Sequence, residues 1–142
     1  MLVIDANILI RSILGTRVRT LLAKYGATVE FFTSDTAYAE ARKHLPKILT
    51  KRRIPVEPAL SLLESLQQVV QPVELDAYQG FEQEARQRLS ERDLEDWPVL
   101  ATALALRCPM WTEDRDFFGT GVATWTTDRI ELFLAATDPA QT

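Results

Sequence analysis

Leu2-Val3-Ile4-Asp5-Ala6-Asn7 opens the chain with a short apolar run that stops on a carboxylate, with an amide two residues later. A buried strand that delivers an acid at its carboxyl end places that acid in the crevice where open α/β sheets hold their ligands. The pattern recurs near the other end, where Pro109-Met110-Trp111-Thr112 runs into Glu113-Asp114-Arg115-Asp116. Two strands that each end on aspartate imply one shared acidic site.

Between these two runs, strand-like segments alternate with segments at helical spacing, which predicts a parallel α/β sheet with helical crossovers. Ile8 to Leu14 and Val18 to Tyr25 read as helices divided near Gly15, and Thr28 to Thr33 as a second strand. Ser34 or Asp35 is placed to cap a helix from Thr36 to His44, which Pro46 is expected to interrupt. Pro55 and Pro58 bracket the start of a helix from Ala59 to Val70, with Leu60, Leu63, Leu66 and Val70 along one face. Val73 to Leu75 is short for a strand, and Asp76 is expected to cap an amphipathic helix to about Leu89. Trp97 to Leu106 is apolar on every side, so it should be packed all round. Pro98 fits only a first helical turn, which puts Asp96 at that helix's amino end. A strand from Met110 to Thr112, a turn with Gly119 and Gly121, a strand from Val122 to Trp125 and a helix from Thr126 or Thr127 to about Ala135 complete the reading. One domain over residues 1–137 and a short loose tail over 138–142 account for the 142 residues.

Composition limits the chemistry. Cys108 is the single cysteine, so neither an internal disulfide nor a thiolate zinc site is available, and a reducing, cytoplasmic setting is expected. The apolar opening carries Asp5 and Arg11 without a preceding basic segment, which argues against a signal peptide. No other segment approaches the roughly 18 apolar residues of a membrane span, so a soluble chain is expected. The formal net charge of −4 argues against nucleic-acid binding through overall positive potential. Arg42, Lys43, Lys47, Lys51, Arg52 and Arg53 nevertheless form a basic island with no acidic residue among them. The island admits two readings, a solvated helix face or a surface for phosphate backbone. His44 lies within it and is read as a surface residue without catalytic part. Trp97, Trp111 and Trp125 are read as packing rather than base-stacking residues.

Of the twenty acidic residues, four sit beside apolar segments in an order that lets them converge. Asp5 ends the first strand, Glu40 lies in the helix after the second, Asp96 opens the apolar helix, and Asp114 follows the strand after it. In a right-handed α/β sheet these positions share one edge. Each has a plainer reading: a turn residue for Asp5 and for Asp114 with Asp116, a solvent-facing side chain for Glu40, a helix cap for Asp96. Two carboxylates about 4 Å apart repel by roughly 4 kcal/mol at an effective dielectric near 20, so convergence calls for a divalent cation with hard oxygen ligands. Such a site suits phosphodiester hydrolysis and needs neither histidine nor cysteine.

These residues carry a resemblance. Val3-Ile4-Asp5-Ala6-Asn7-Ile8-Leu9, Glu40, Asp96-Trp97-Pro98-Val99-Leu100-Ala101-Thr102-Ala103 and Trp111-Thr112-Glu113-Asp114-Arg115-Asp116-Phe117 make the chain similar to PIN domains of the VapC toxin type, from Leu2 to about Leu134. The resemblance implies a three-layer α/β/α fold with a central, mainly parallel sheet of four to five strands. It implies a Mg²⁺- or Mn²⁺-dependent endoribonuclease in which Asp5, Glu40, Asp96 and Asp114 hold metal, leaving 5′-phosphate and 3′-hydroxyl ends. Asn7, Thr112 and Asp116 would support that quartet, and Asp93 would add a carboxylate or only a cap. An antitoxin partner and a homodimer are implied as well. A PIN-fold ribonuclease without an antitoxin, and a nonenzymatic RNA- or protein-binding module of the same fold, are the alternatives.

Three rivals fail on particular residues. A haloacid-dehalogenase phosphatase needs a second aspartate where Asn7 stands, and an amide cannot deliver a proton. Asp114 to Gly119 begins like an EF-hand loop, but Phe118 and Trp125 fall where oxygen ligands are required. Phosphate-cradling loops are missing, with five glycines and no Gly-Lys-Ser or Gly-Lys-Thr.

Overall fold

The computed structural model describes residues 1–90 and 92–137, so the tail expected over 138–142 lies outside the described residues. Its core is a five-stranded, all-parallel sheet in the order β3-β2-β1-β4-β5. The strands are β1 (Leu2–Ile4), β2 (Phe31–Ser34), β3 (Val70–Val73), β4 (Met110–Trp111) and β5 (Thr124–Trp125). β1 is central, and all three of its residues are buried, as a strand covered on both faces requires.

The chain leaves β1 through α1 (Ala6–Leu14) and α2 (Arg17–Tyr25) to β2, then through α3 (Asp35–Lys51) and α4 (Val56–Leu66) to β3. It returns past α5 (Leu75–Tyr78), α6 (Glu82–Leu89) and α7 (Trp97–Leu106) to β4 on the other side of β1. α1 to α4 pack on one another, as do α5 to α7. Right-handed crossovers put the two groups on opposite faces, giving three layers. The last helix, α8 (Ile130–Thr137), joins the first group through Glu131, which accepts hydrogen bonds from Lys24 Nζ and Tyr25 Oη of α2. The reversal of strand order falls between β1 and β4, the topological switch point where such sheets bind ligands. No helix among the described residues is long and apolar enough to cross a membrane.

Several expected boundaries are corrected. α3 runs through Pro46 to Lys51 instead of stopping at His44. A proline inside a helix costs about 3 kcal/mol. Complete burial of Leu45 and near-complete burial of Leu49, on either side of it, offset that cost at roughly 1.5–3 kcal/mol each. Val70 belongs to β3 rather than to the preceding helix, because three successive turns, Gln67 N to Glu64 O, Gln68 N to Ser65 O and Val69 N to Leu66 O, close α4. β3 is an edge strand, where Pro72 is tolerated without a backbone donor. Asp76 lies inside α5 and Glu74 takes the cap position, while the amphipathic run to Leu89 is split by a 3-10 turn over Gln79–Phe81. β2 begins at Phe31, not Thr28, since Thr28 and Val29 bond back to Tyr25 O. The N-cap of α3 is Ser34, which makes no side-chain capping bond and pairs its Oγ with Thr36 Oγ1, while Asp35 is the first helical residue and its Oδ1 accepts from Thr36 N. α8 starts at Ile130 after a turn in which Thr126 O accepts from Arg129 N and Ile130 N.

The apolar helix is packed as its composition demands, with Pro98 to Ala103 all buried. Trp111 is fully buried, Trp97 stacks at a tilt on Tyr78 and Trp125 on Phe133, so the tryptophans serve packing.

Candidate metal centre

Asp5 follows β1 and caps α1. Its Oδ1 accepts from Ala6 N at 2.6 Å and its Oδ2 from Thr112 Oγ1 at 2.7 Å. Thr112, just past β4, also accepts from Asp114 N at 2.9 Å, and Asp114 Oδ1 accepts from Asp116 N at 2.9 Å. This chain of bonds ties the loop after β4 to the end of β1 and fixes the Asp5 and Asp114 carboxylates, with the backbone of Asp116 bonded to the second. Phe117, fully buried, anchors the 3-10 turn Arg115–Phe117 that follows.

Asp96 arrives from the opposite face. It is the N-cap residue of α7, yet its side chain makes no capping bond. The capping reading fits Asp93 instead, whose side chain accepts from Glu95 N at 3.1 Å and starts the 3-10 turn Leu94–Asp96. Asp96 is thereby free to face Asp114 and Asp116. One carboxylate oxygen from each of these three half-buried residues lies within 4.8 Å of the others. Asp116, expected only in support, thus stands in the trio, and neither Asp5 nor Glu40 belongs to it.

Glu40 lies on α3 at the rim, with half of its side chain exposed and Oε1 3.9 Å from His44 Nε2. It lines a cavity of about 330 Å³ together with Lys43, His44, Asp93, Glu95 and Asp96. Glu40 therefore faces the same cleft from across it. The basic island does not act as one surface. Arg42 is held by Glu64 at 2.7 Å, Lys43 and His44 border the acidic cleft, and Arg52 turns toward α1 and α2. Lys47, Lys51 and Arg53 are exposed.

The electrostatics follow from this crowding. Burial raises the Asp5 carboxyl to about 6; hydrogen bonds from Thr112 and the Ala6 amide work against that, and the charges of Asp114 and Glu40 add to it. Asp96 is pushed up to about 8, chiefly by burial and then by the negative charges of Asp93, Asp5, Asp114 and Glu40. Among the described residues no cation lies within ion-pair distance of Asp5, Asp96, Asp114 or Asp116, although Lys43 borders the cleft. Asn7 supplies a further sign of an incomplete site. Its Oδ1 is the one buried side-chain nitrogen or oxygen among the described residues that has no hydrogen-bond partner. Hard, anionic oxygens that make no ion pair among the described residues, with an unpaired amide oxygen two residues from Asp5, are a donor set suited to Mg²⁺ or Mn²⁺.

Sequence reasoning missed the clamp on this loop. Arg92 Nη1 donates to Asp116 O and Phe118 O at 2.6 and 2.5 Å, and Arg88 Nη1 donates to Thr120 O at 2.8 Å. Gly121, at φ +87°, leaves room for Arg88, whose Nη1 would lie 2.5 Å from a Cβ there. The Gly119–Gly121 pair was the available signal, since a loop built on positive φ presents carbonyls that need donors. A family model described as PIN domain matches residues 3–135. No curated protein matches the chain.

Proposed function

The chain belongs to the PIN domain family, and from that premise we propose that it is a metal-dependent endoribonuclease formed by a single domain over residues 1–137. The observation that carries the reading is the meeting of Asp96, Asp114 and Asp116, with Asp5 bonded into the same loop and none of the four in an ion pair among the described residues. In this proposal Asp5, Glu40, Asp96 and Asp114 hold Mg²⁺ or Mn²⁺, with Asp116 beside them. When bound, the ion supplies charge neutralisation and an acidified water for in-line attack on phosphorus, with the 3′ oxygen leaving.

The chain's own groups do the positioning. Thr112 spends its proton on Asp5 Oδ2, so both Asp5 oxygens are fixed before any substrate arrives. Asp96, free of any capping duty, turns its carboxylate to the cleft. Asn7 offers an unpaired amide oxygen able to accept a hydrogen bond from a water or a ribose hydroxyl. Lys43, at the rim, stands where it can meet a phosphate next to the scissile one.

The test is cleavage of structured and single-stranded RNAs with Mg²⁺, Mn²⁺ or EDTA, comparing the unaltered protein with Asp5→Asn and Asp96→Asn. Activity is expected only with metal and only in the unaltered protein; full activity in EDTA, or in both variants, refutes the reading. We further propose the VapC subtype: a cytoplasmic, homodimeric toxin held by an antitoxin. Induced expression should then arrest growth, and harmless overexpression of the folded protein counts against it.

A further inference from the structure

Away from the acidic cleft, Arg11, Arg17 and Arg52 converge on a cavity of about 510 Å³ whose lining also includes Thr16, Gly15 and Thr127. They come from three separate elements: α1, the first turn of α2, and the residue that caps α3. No guanidinium N–H of the three donates a hydrogen bond to any described residue. Arg52 has no carboxylate within ion-pair distance among the described residues. The pairs of the other two are long, at 3.9 Å from Arg11 to Glu113 and 3.5 Å from Arg17 to Glu131. Both carboxylates are already engaged elsewhere, Glu113 by Thr127 N at 2.6 Å and Glu131 by Lys24 and Tyr25 at 2.8 Å. Exposed ion pairs of such length contribute little and exchange readily.

Thr16 adds a second feature. As N-cap of the nine-residue α2 it makes no side-chain capping bond, and with Arg17 and Val18 it brings that helix's amino end to the cavity wall. Planar guanidinium groups with free donors, facing a helix amino end, suit a phosphate group. The cavity also has a fixed relation to the carboxylates: Glu113, held by the backbone N–H of Thr127 in the cavity wall, is the chain neighbour of Asp114. A polyanion that enters the acidic cleft can continue past residues 113 and 114 onto the arginines.

We propose that the Arg11–Arg17–Arg52 cavity binds a backbone phosphate of single-stranded RNA, one flanking the phosphate that is cut. The inference rests on the nuclease reading for the identity of the polymer, and deepens it by giving the strand a second anchor. Of the basic island only Arg52 takes part.

The test is anisotropy of a labelled single-stranded RNA titrated with Asp96→Asn protein in EDTA, so that the RNA survives, over a series of salt concentrations. Adding Arg17→Glu with Arg52→Glu should weaken binding about tenfold or more, and flatten the plot of log K against log salt by about 0.7 per lost phosphate contact. Arg107→Glu, at the far end of α7 from Asp96, is the control matched in charge to each single reversal, Arg17→Glu or Arg52→Glu; it should change binding less than twofold, where each of those weakens it about threefold or more. If the reversed pair misfolds by circular dichroism, Arg17→Gln with Arg52→Gln replaces it and should still lower the salt slope. Equal weakening by Arg107→Glu, unchanged binding in the arginine variants, or preference for an acidic peptide over RNA overturns the proposal. Cleavage by the unaltered protein with Mn²⁺ separates the two readings. Binding that depends on these arginines without any cleavage sinks the nuclease and spares the cavity; cleavage with arginine-independent binding does the reverse.

Discussion

Asp5→Asn removes the charge of the most buried carboxylate in the cleft and keeps its shape. The amide oxygen can still accept from Ala6 N, and the amide nitrogen can donate to Thr112 Oγ1. The Asp5 carboxyl rises from 3.8 to about 6 on folding. The folded protein therefore keeps a proton that the unfolded chain has released in that window. The resulting stability is fully present below pH 4 and is lost as pH rises through 6. About two pH units at roughly 1.4 kcal/mol each put the cost of ionised Asp5 near 3 kcal/mol at pH 8 without metal. Asp96 extends the decline toward pH 8, with less weight because water screens a half-exposed group. In EDTA at pH 8, Asp5→Asn should thus melt above the unaltered protein by up to about 10 °C for a chain of this size. At pH 4 the two should melt together within about 1 kcal/mol, the worth of one altered hydrogen bond. Mn²⁺ should reverse the order, since binding at 100 times Kd stabilises by about 2.7 kcal/mol and the variant has lost a ligand. Thermal unfolding followed by circular dichroism, from pH 4 to 8, measures all of this. A variant that melts below the unaltered protein at pH 8 in EDTA, or a gap between the two that does not widen with pH, refutes the reasoning.

Other perturbations have defined outcomes. Thr112→Val breaks the link between Asp5 and Asp114 N, and should lower RNA cleavage about 10–100-fold, as loss of outer-shell partners does, while costing about 1–2 kcal/mol in urea unfolding. Pro46→Ala restores a donor inside α3 and should stabilise by about 1–3 kcal/mol by the same measurement; a loss of stability would mean that the ring's own packing outweighs the missing bond. Gly121→Ala places a methyl against Arg88 at positive φ, and should cost at least about 1–2 kcal/mol and lower cleavage through the loop that carries Asp116. Arg92→Ala should reduce Mn²⁺ affinity, read by calorimetry, with little change in melting temperature, because the carbonyls it releases are near solvent.

Asp5 and Asp114 were legible in the sequence because each ends an apolar run, and the end of a buried strand is a place, not merely a residue type. Asp96 was legible through Pro98, which fixes a helix start. Glu40 was less so: nothing in a helix containing one glutamate says which way it faces, and it stands at the rim rather than in the trio. The place of Asp116 in the trio depends on the 3-10 turn Arg115–Phe117, whose geometry is set by buried Phe117 and by Arg92, 24 residues earlier in the chain. Pro46 misled because local propensity was weighed without the burial of Leu45 and Leu49. Val70 misled because its spacing from Leu66 continues the helical stripe, although the chain had already turned.

The bond between Thr112 and Asp5 joins residues 107 apart in the chain. β1 leaves the ribosome long before its partner β4 and the loop bearing Asp114 and Asp116. A growing chain therefore displays Asp5 and Glu40 well before Asp96, Asp114 and Asp116 exist, and cannot assemble the acidic cleft until residue 116 has been made. Under the proposed nuclease reading, the order of synthesis alone keeps the site incomplete until residues 114 and 116 have folded onto the end of β1.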